Sequence, residues 1–375
     1  MPTISLCLIV KNEEETLAKC LQSVHNIADE IIVVDTGSTD ATKDVAKRFT
    51  NQIYDFTWID DFSAARNFAF QKASMDYIMW LDADDILLPD DRVRLIELKK
   101  TLDPSVDVVM MLYHVKFDMD GNPLFSYHRE RLVKRSRHFA WVEPVHEYIP
   151  VSGNVRTTEI AVTHTKLHAA ATGRNLAIYE KMRKSGRSLT PRGLYYYARE
   201  LKDNGKNVEA AQMFLNFLES GSGWVEDNIS ACLELAACYQ LRHLPEKQVL
   251  SLLRSFLYDT PRAEACCQLG YFYKNQNNFS RALFWFQLAT TLHKPEKSWG
   301  FFQPDCWGYT PHLELAVCYD RLGHRDEAER HNEIAAQYKP NATAVLYNRK
   351  YFHSLKEAKK PVSPSGKKTN EEETT

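Results

Sequence analysis

Long apolar runs are missing from this chain of 375 residues: none approaches the ~18 residues that a membrane-spanning helix needs. A surplus of either charge is missing as well. Lys and Arg number 47 against 49 Asp and Glu, a net charge of −2, which gives no general attraction to nucleic acid or to an anionic membrane. None of the 8 cysteines falls in a CxxC pair or a finger-like spacing, so buried free thiols in a reducing compartment are expected rather than a zinc site. There is no GxGxxG and no GxxxxGK[ST], which leaves a dinucleotide fold and a P-loop unsupported. The opening residues lack the basic region and cleavage site of a secretory signal, and the expected location is cytoplasmic. What is present is ordinary for globular protein: 44% apolar and 26% charged residues, and a length that suggests two or three domains.

The first half alternates buried strands with amphipathic helices. Strand-like runs are 4–10, 30–35, 52–56 and 77–82, with helical spacing over 14–26, 39–49 and 62–73. Ser38 or Thr39 suits the N-cap of the second helix. Further strands are expected over 106–117 and 130–134, with Gly121-Asn122 as a hairpin turn. Such alternation predicts a largely parallel, doubly wound sheet with ligands at the carboxyl ends of its strands.

After about residue 190 the strands stop and helix pairs begin. Four segments share a small residue followed three positions later by a larger one: Ala198 with Leu201, Ala236 with Tyr239, Gly270 with Tyr273, and Ala316 with Tyr319. Twelve residues after each small residue stands Ala210, Gln248, Ala282 or Ala328. This resembles the tetratricopeptide repeat, whose period is about 34 residues. An aromatic-rich insertion, 299–309, lengthens one repeat and could clamp an acceptor or plug a domain boundary. The expected division is an α/β domain over 1–188, an all-α repeat domain over 189–350, and a disordered tail over 356–375.

Two segments carry the chemistry. Asp82-Ala83-Asp84-Asp85 packs three carboxylates at a strand end, where a divalent cation would relieve their repulsion; hard oxygen ligands suit Mg²⁺ or Mn²⁺. Asp35-Thr36-Gly37-Ser38-Thr39-Asp40 joins a strand end to a helix start, a natural binding edge at which Asp35 could accept from a base or ribose. The first strand ends close by, in Val10-Lys11-Asn12-Glu13.

These two segments, with Asp60-Asp61-Phe62-Ser63-Ala64-Ala65-Arg66-Asn67 and the terminus of the first strand, occur in an order that resembles the family 2 glycosyltransferases of GT-A fold, a Rossmann-like α/β domain. The domain order is similar to that of bacterial family 2 enzymes with a C-terminal tetratricopeptide region, a group that includes peptide (bacteriocin) and flagellin glycosyltransferases. The resemblance implies an inverting transfer from a UDP-sugar. It implies that Val10, Asn12, Glu13, Asp35, Gly37 and Ser38 hold the nucleoside, that Arg66 and Asn67 flank the diphosphate, and that Asp84 binds the metal. By it Asp82, beside Ala83, touches the ribose or a metal-bound water, and a late histidine completes the metal shell; His164 matches best and His168 is the spare.

An inverting transfer also needs a base to take the acceptor's proton. The segment 141–147 offers Glu143, His146 and Glu147; the resemblance favours His146 or Glu147 without separating them, and Asp85 is a further candidate. Arg129, Arg131, Arg135 and Arg174 are candidate phosphate contacts. The expected product is a hexose (glucose or N-acetylglucosamine) on a Ser, Thr or Cys side chain of a peptide or protein. A polysaccharide or lipid-linked acceptor and a non-catalytic scaffold are the alternatives. No nucleic acid or membrane insertion is expected; the repeats could also mediate a homodimer.

Overall fold

The computed structural model describes residues 1–117, 123–165, 173–295, 300 and 302–358. The apolar runs of the first half become strands β1 (Ile4–Val10), β2 (Glu30–Asp35), β3 (Ile53–Asp55) and β4 (Tyr77–Trp80), joined by helices α1 (Leu17–Val24), α2 (Thr42–Lys47) and α3 (Phe62–Lys72). β2 is buried along its whole length, as a parallel strand covered on both faces must be. α1 buries Leu17, Cys20, Leu21 and Val24, the stripe its spacing foretold, and α3 starts where the Asp61 side chain accepts from the Ala64 N–H. α2 begins later than expected. Its N-cap is Ala41, because Ser38 and Thr39 bond instead to Asn12 across the strand ends.

Beyond β4 the chain forms β5 (Asp85–Ile86), α4 (Pro89–Thr101), β6 (Val108–Phe117), β7 (Pro123–Lys134) and β8 (Val155–His164). The sheet order is β3-β2-β1-β4-β7-β6-β8-β5. β3, β2, β1 and β4 run parallel, as expected, but β7 is antiparallel to both β4 and β6, so the whole sheet is mixed. Proximity in sequence explains this: β6 and β7 pair through a connection too short for a parallel crossover. The Gly121-Asn122 turn lies outside the described residues. β5 pairs antiparallel with β8 and sets Asp85 opposite His164.

The next helices are α5 (Arg174–Lys184), α6 (Pro191–Asp203), α7 (Asn207–Glu219), α8 (Val225–Leu241) and α9 (Pro245–Arg254). These belong with the sheet to one compact unit, residues 1–260 with 295–302. Two pairs are recognisable in it, α6 with α7 and α8 with α9, and Ala198, Ala210 and Ala236 are buried at their contacts. A second unit, residues 261–294 and 303 onward, holds α10 (Ala263–Asn275), α11 (Phe279–Thr291), α12 (Tyr309–Arg321), α13 (Arg325–Tyr338) and α14 (Thr343–Ala358). Gly270 shows why its position must be small: a Cβ there would lie 2.6 Å from the Phe286 ring. Of the aromatic insertion, Cys306 and Trp307 pack into the apolar cluster of this second unit, with the Trp307 indole N–H donating to Glu264 at 2.8 Å; Trp299 and Phe301 lie outside the described residues. All eight cysteines are buried and none is in a disulfide. No helix among the described residues is long and apolar enough to cross a membrane.

Candidate active site

The carboxyl ends of β1, β2 and β4 open onto a cleft of about 910 Å³. At one side the turn after β4 and the end of β8 bring Asp84, Asp85 and His164 together, their ligand atoms within 4.8 Å of one another. The His164 Nδ1 lies 3.4 Å from Asp84 Oδ1 and 3.3 Å from Asp85 Oδ1. Burial works against a charged His164, but the two carboxylates outweigh it and push its pKa up to about 10. Two carboxylates and an imidazole are a fitting donor set for Mn²⁺ or Mg²⁺, with a cation taking the place of the imidazole proton. The backbone carbonyl of Asp84 is also held, accepting from the Thr165 N–H and hydroxyl, each at 2.8 Å.

Asp85 is not placed to act as a base. It is wholly buried, ion-paired to the equally buried Arg131 at 3.0 Å, and accepts from the Tyr113 hydroxyl at 2.9 Å and the Asp82 N–H at 3.1 Å. Arg131 in turn lies against the Trp80 and Tyr113 rings, 3.9 and 4.3 Å from their centroids, and belongs to this cluster rather than to a phosphate.

Asp82 turns to Arg66 instead of joining the acidic cluster. Arg66, on α3, donates to Asp82 Oδ1 at 2.7 Å and to Glu147 Oε1 at 2.8 Å, while its guanidinium stacks between Trp80 and Trp141. Burial alone would raise the Asp82 pKa, but Arg66 and Arg131 hold it at about 2, so Asp82 is a fixed negative charge. Arg66 therefore ties the strand-end carboxylates to the loop 141–148. The neighbouring Asn67 does not face the cleft. Its amide donates to the Trp141 carbonyl and accepts from the Trp141 N–H, at 2.9 and 2.8 Å, and so latches that loop to α3.

At the nucleoside edge, Asp35 Oδ1 accepts from the Gly37 and Ser38 N–H groups, both at 2.9 Å, and Gly37 takes the positive φ of 104° that such a turn requires. Asn12, itself at φ 56°, receives Thr39 N–H on its side chain and donates its own N–H to Ser38 Oγ. Val10, Asn12, Glu13 and Ala83 line the cleft. Asp35 Oδ2 is buried with no partner among the described residues, an acceptor without a donor.

The loop 141–148 closes on itself through Val142 and Tyr148 and holds Glu143 and His146 at φ 70° and 55°, a conformation non-glycine residues rarely take. It divides the three candidate bases. His146 and Glu147 line the cleft, whereas Glu143 accepts from Thr190 at the start of α6 and braces that helix. The far wall comes from helices with no motif to mark them: Arg174 and Asn175 on α5, Arg192, Tyr196 and Arg199 on α6, and Trp224 and Asp227 beside and on α8. Arg129 lines the cleft over Trp80, while Arg135 is exposed and donates to the Met75 carbonyl away from it. His168 lies outside the described residues.

Residues 5–152 match the model of glycosyl transferase family 2. The chain is 29% identical over 223 residues to the SPbeta prophage-derived glycosyltransferase SunS of Bacillus subtilis, across 56% of this chain and 51% of that one. It is 48% identical over 88 residues to a TPR repeat-containing protein of Synechococcus elongatus, across 24% of this chain and 22% of the other. An uncharacterized glycosyltransferase of Rickettsia typhi is 38% identical over 87 residues, 23% of this chain and 30% of that one. The chain thus spans about half the length, or less, of these curated relatives. With the strand-end carboxylates, the mixed sheet and the helix pairs already in place, residues 5–152 of this chain form a domain of the glycosyl transferase family 2 type, and helix pairs with tetratricopeptide-like spacing follow it.

Proposed function

We propose that this chain transfers a hexose, glucose or N-acetylglucosamine, from a UDP-sugar to a Ser, Thr or Cys side chain of a peptide or protein, with inversion at the anomeric carbon. The observation that carries this is the convergence of Asp84 and His164, which line the cleft, with the buried Asp85 behind them, in the same cleft that Val10, Asn12 and Glu13 line. Mn²⁺ or Mg²⁺ held by Asp84 and His164 would draw charge from the departing diphosphate. Val10, Asn12, Glu13, Gly37 and Ser38 form the nucleoside edge, and Asp35 Oδ2 supplies the acceptor a base N–H would satisfy. Asp82, fixed by Arg66, keeps its second oxygen for the ribose or a metal-bound water. Arg66 and Arg129 add positive charge beside the phosphates, in a setting that is already organised before the reaction begins. The catalytic part is assigned to 1–188 and the repeats to 189–350, with the repeats binding the acceptor and mediating a homodimer in the cytoplasm. The tetratricopeptide-like helix pairs, a type of surface suited to holding a peptide, support a peptide acceptor over a polysaccharide or lipid-linked one.

Incubation with UDP-glucose or UDP-N-acetylglucosamine and Mn²⁺ should release UDP, and Asp84→Ala should abolish the release. Mass spectrometry of peptides added to the same reaction should show a hexose or N-acetylhexosamine increment. No release from either donor would refute the transferase reading, and release without any peptide product would turn the acceptor toward a glycan.

A further inference from the structure

His146 and Glu147 both face the cleft, but their partners differ. Glu147 is committed to the Arg66 ion pair, which also fixes Asp82. His146 is held from the repeat side of the cleft. Its Nε2 lies 2.8 Å from Glu200 Oε1 on α6, and its ring stacks on Tyr196 of the same helix, with centroids 4.2 Å apart and planes at 19°. The Asn175 amide, from α5, donates to that same Glu200 oxygen at 3.0 Å. Burial by itself would raise the Glu200 pKa, but the bonds from His146 and Asn175 outweigh it and lower it, so Glu200 is a carboxylate.

A carboxylate only accepts, so the shared hydrogen sits on Nε2. In the neutral ring the lone pair is then on Nδ1, to which no described residue bonds. The left-handed backbone at His146, φ 55°, is a further sign that the ring's placement is imposed by its surroundings.

We propose that Glu200 is a positioning residue for the transfer, fixing the tautomer and orientation of His146 so that His146 Nδ1 takes the acceptor's proton. This rests on the transferase reading above. In the step, the acceptor O–H or S–H proton passes to Nδ1 and the freed lone pair forms the bond to the anomeric carbon. The bond from that carbon to the phosphate oxygen breaks, and its electron pair leaves on UDP. The resulting imidazolium is stabilised by Glu200, the same division of labour by which a buried carboxylate supports a histidine base elsewhere. The base dyad thus spans two parts of the chain: the loop after β7 supplies the imidazole and the first repeat helix supplies its partner. The charged and titratable groups around His146 are Glu200, Tyr196 and Arg192 on α6, Arg174 on α5 and Glu147 in its own loop, and the last four are kept constant in the test.

The test measures UDP release from UDP-glucose and from UDP-N-acetylglucosamine with Mn²⁺ across pH, with water as the acceptor, for the full chain and for Glu200→Gln, Glu200→Asp and His146→Gln. UDP affinity is followed by calorimetry. Glu200→Gln should lower the plateau of kcat/KM about tenfold to a hundredfold and move its acidic limb about one pH unit lower, since the imidazolium loses its carboxylate. UDP affinity should stay within about twofold, Glu200→Asp should recover part of the rate, and His146→Gln should lose the acidic limb. An active wild type with an unchanged pH profile in Glu200→Gln overturns the dyad while leaving the transferase reading intact. A parallel fall of UDP affinity and rate overturns it too, by showing that Glu200 only supports the fold. No release by the wild type from either donor overturns the transferase reading and the reaction assigned to the pair.

Discussion

Replacing Arg131 with Met tests the electrostatic account of the acidic cluster most severely. Arg131 and Asp85 are both wholly buried, 3.0 Å apart, and Asp85 has no contact with solvent through which a lost countercharge could be replaced. At an effective dielectric of about 20, two charges at that distance attract by roughly 5 kcal/mol. The intact pair offsets much of this by its own desolvation, but removing one partner leaves a buried carboxylate supported only by Tyr113, His164 and one backbone N–H. The expected loss is therefore about 3–5 kcal/mol, a fall in Tm on the order of 10 °C for a unit of this size. Intrinsic Trp fluorescence follows it, because Trp80 lies against Arg131. The same change makes the cluster more negative, so Mn²⁺ should raise the Tm of Arg131→Met more than that of the wild type. A loss below about 1 kcal/mol, or equal stabilisation of both proteins by Mn²⁺, would refute the view that Arg131 balances the charge of Asp85.

His164→Ala should weaken Mn²⁺ binding about tenfold or more by calorimetry; unchanged affinity would remove His164 from the ligand set. Gly270→Ala should cost about 1–3 kcal/mol in urea unfolding, because the new methyl meets the Phe286 ring, and a neutral result would mean that the α10–α11 contact can open. Burial and the adjacent His312 lower the His331 pKa to about 4, against about 6.5 in an unfolded chain. The folded state thus binds the proton less readily than the unfolded one. Stability from this group is complete above pH ~6.5 and is lost as the pH falls toward 4, up to about 3 kcal/mol. His331→Gln should flatten that acid dependence in unfolding measurements.

The parallel half of the sheet was legible because its strands are uniform apolar runs and its helices carry a clean stripe, as at Leu17, Cys20, Leu21 and Val24. The repeat register was legible for a related reason: Ala198 and Ala316 are buried, and Gly270 sits where an added Cβ would strike the Phe286 ring. The antiparallel pairing of β6 with β7 was legible in the Gly121-Asn122 hairpin signal, but the insertion of β7 next to β4, which makes the sheet mixed, was not, since the choice of neighbour does not show in a strand's own composition. At the candidate site, motif order pointed to Asp84 and His164, and the β5–β8 register supplies the physical reason they meet. Asn67 and Glu143 look like site residues in a string of letters, yet Asn67 spends both its polar atoms on Trp141, and Glu143 accepts from Thr190. Glu200, Tyr196 and Tyr113 carry no local signal at all. Each is an ordinary member of a helix or strand until the fold brings Tyr113 and Tyr196 to the cleft and Glu200 to His146.

The three consecutive tyrosines at the start of the first repeat helix, Tyr195, Tyr196 and Tyr197, are all buried, in one apolar cluster with Val145 and Leu176. Trimming the chain back to its strands and α5 would strip aromatic cover from the loop that carries His146 and remove Arg192 and Tyr196 from the wall of the cleft. Any exchange of the helices α10 to α14 should accordingly splice after residue 260, keeping the first two helix pairs with the sheet as fixed masonry.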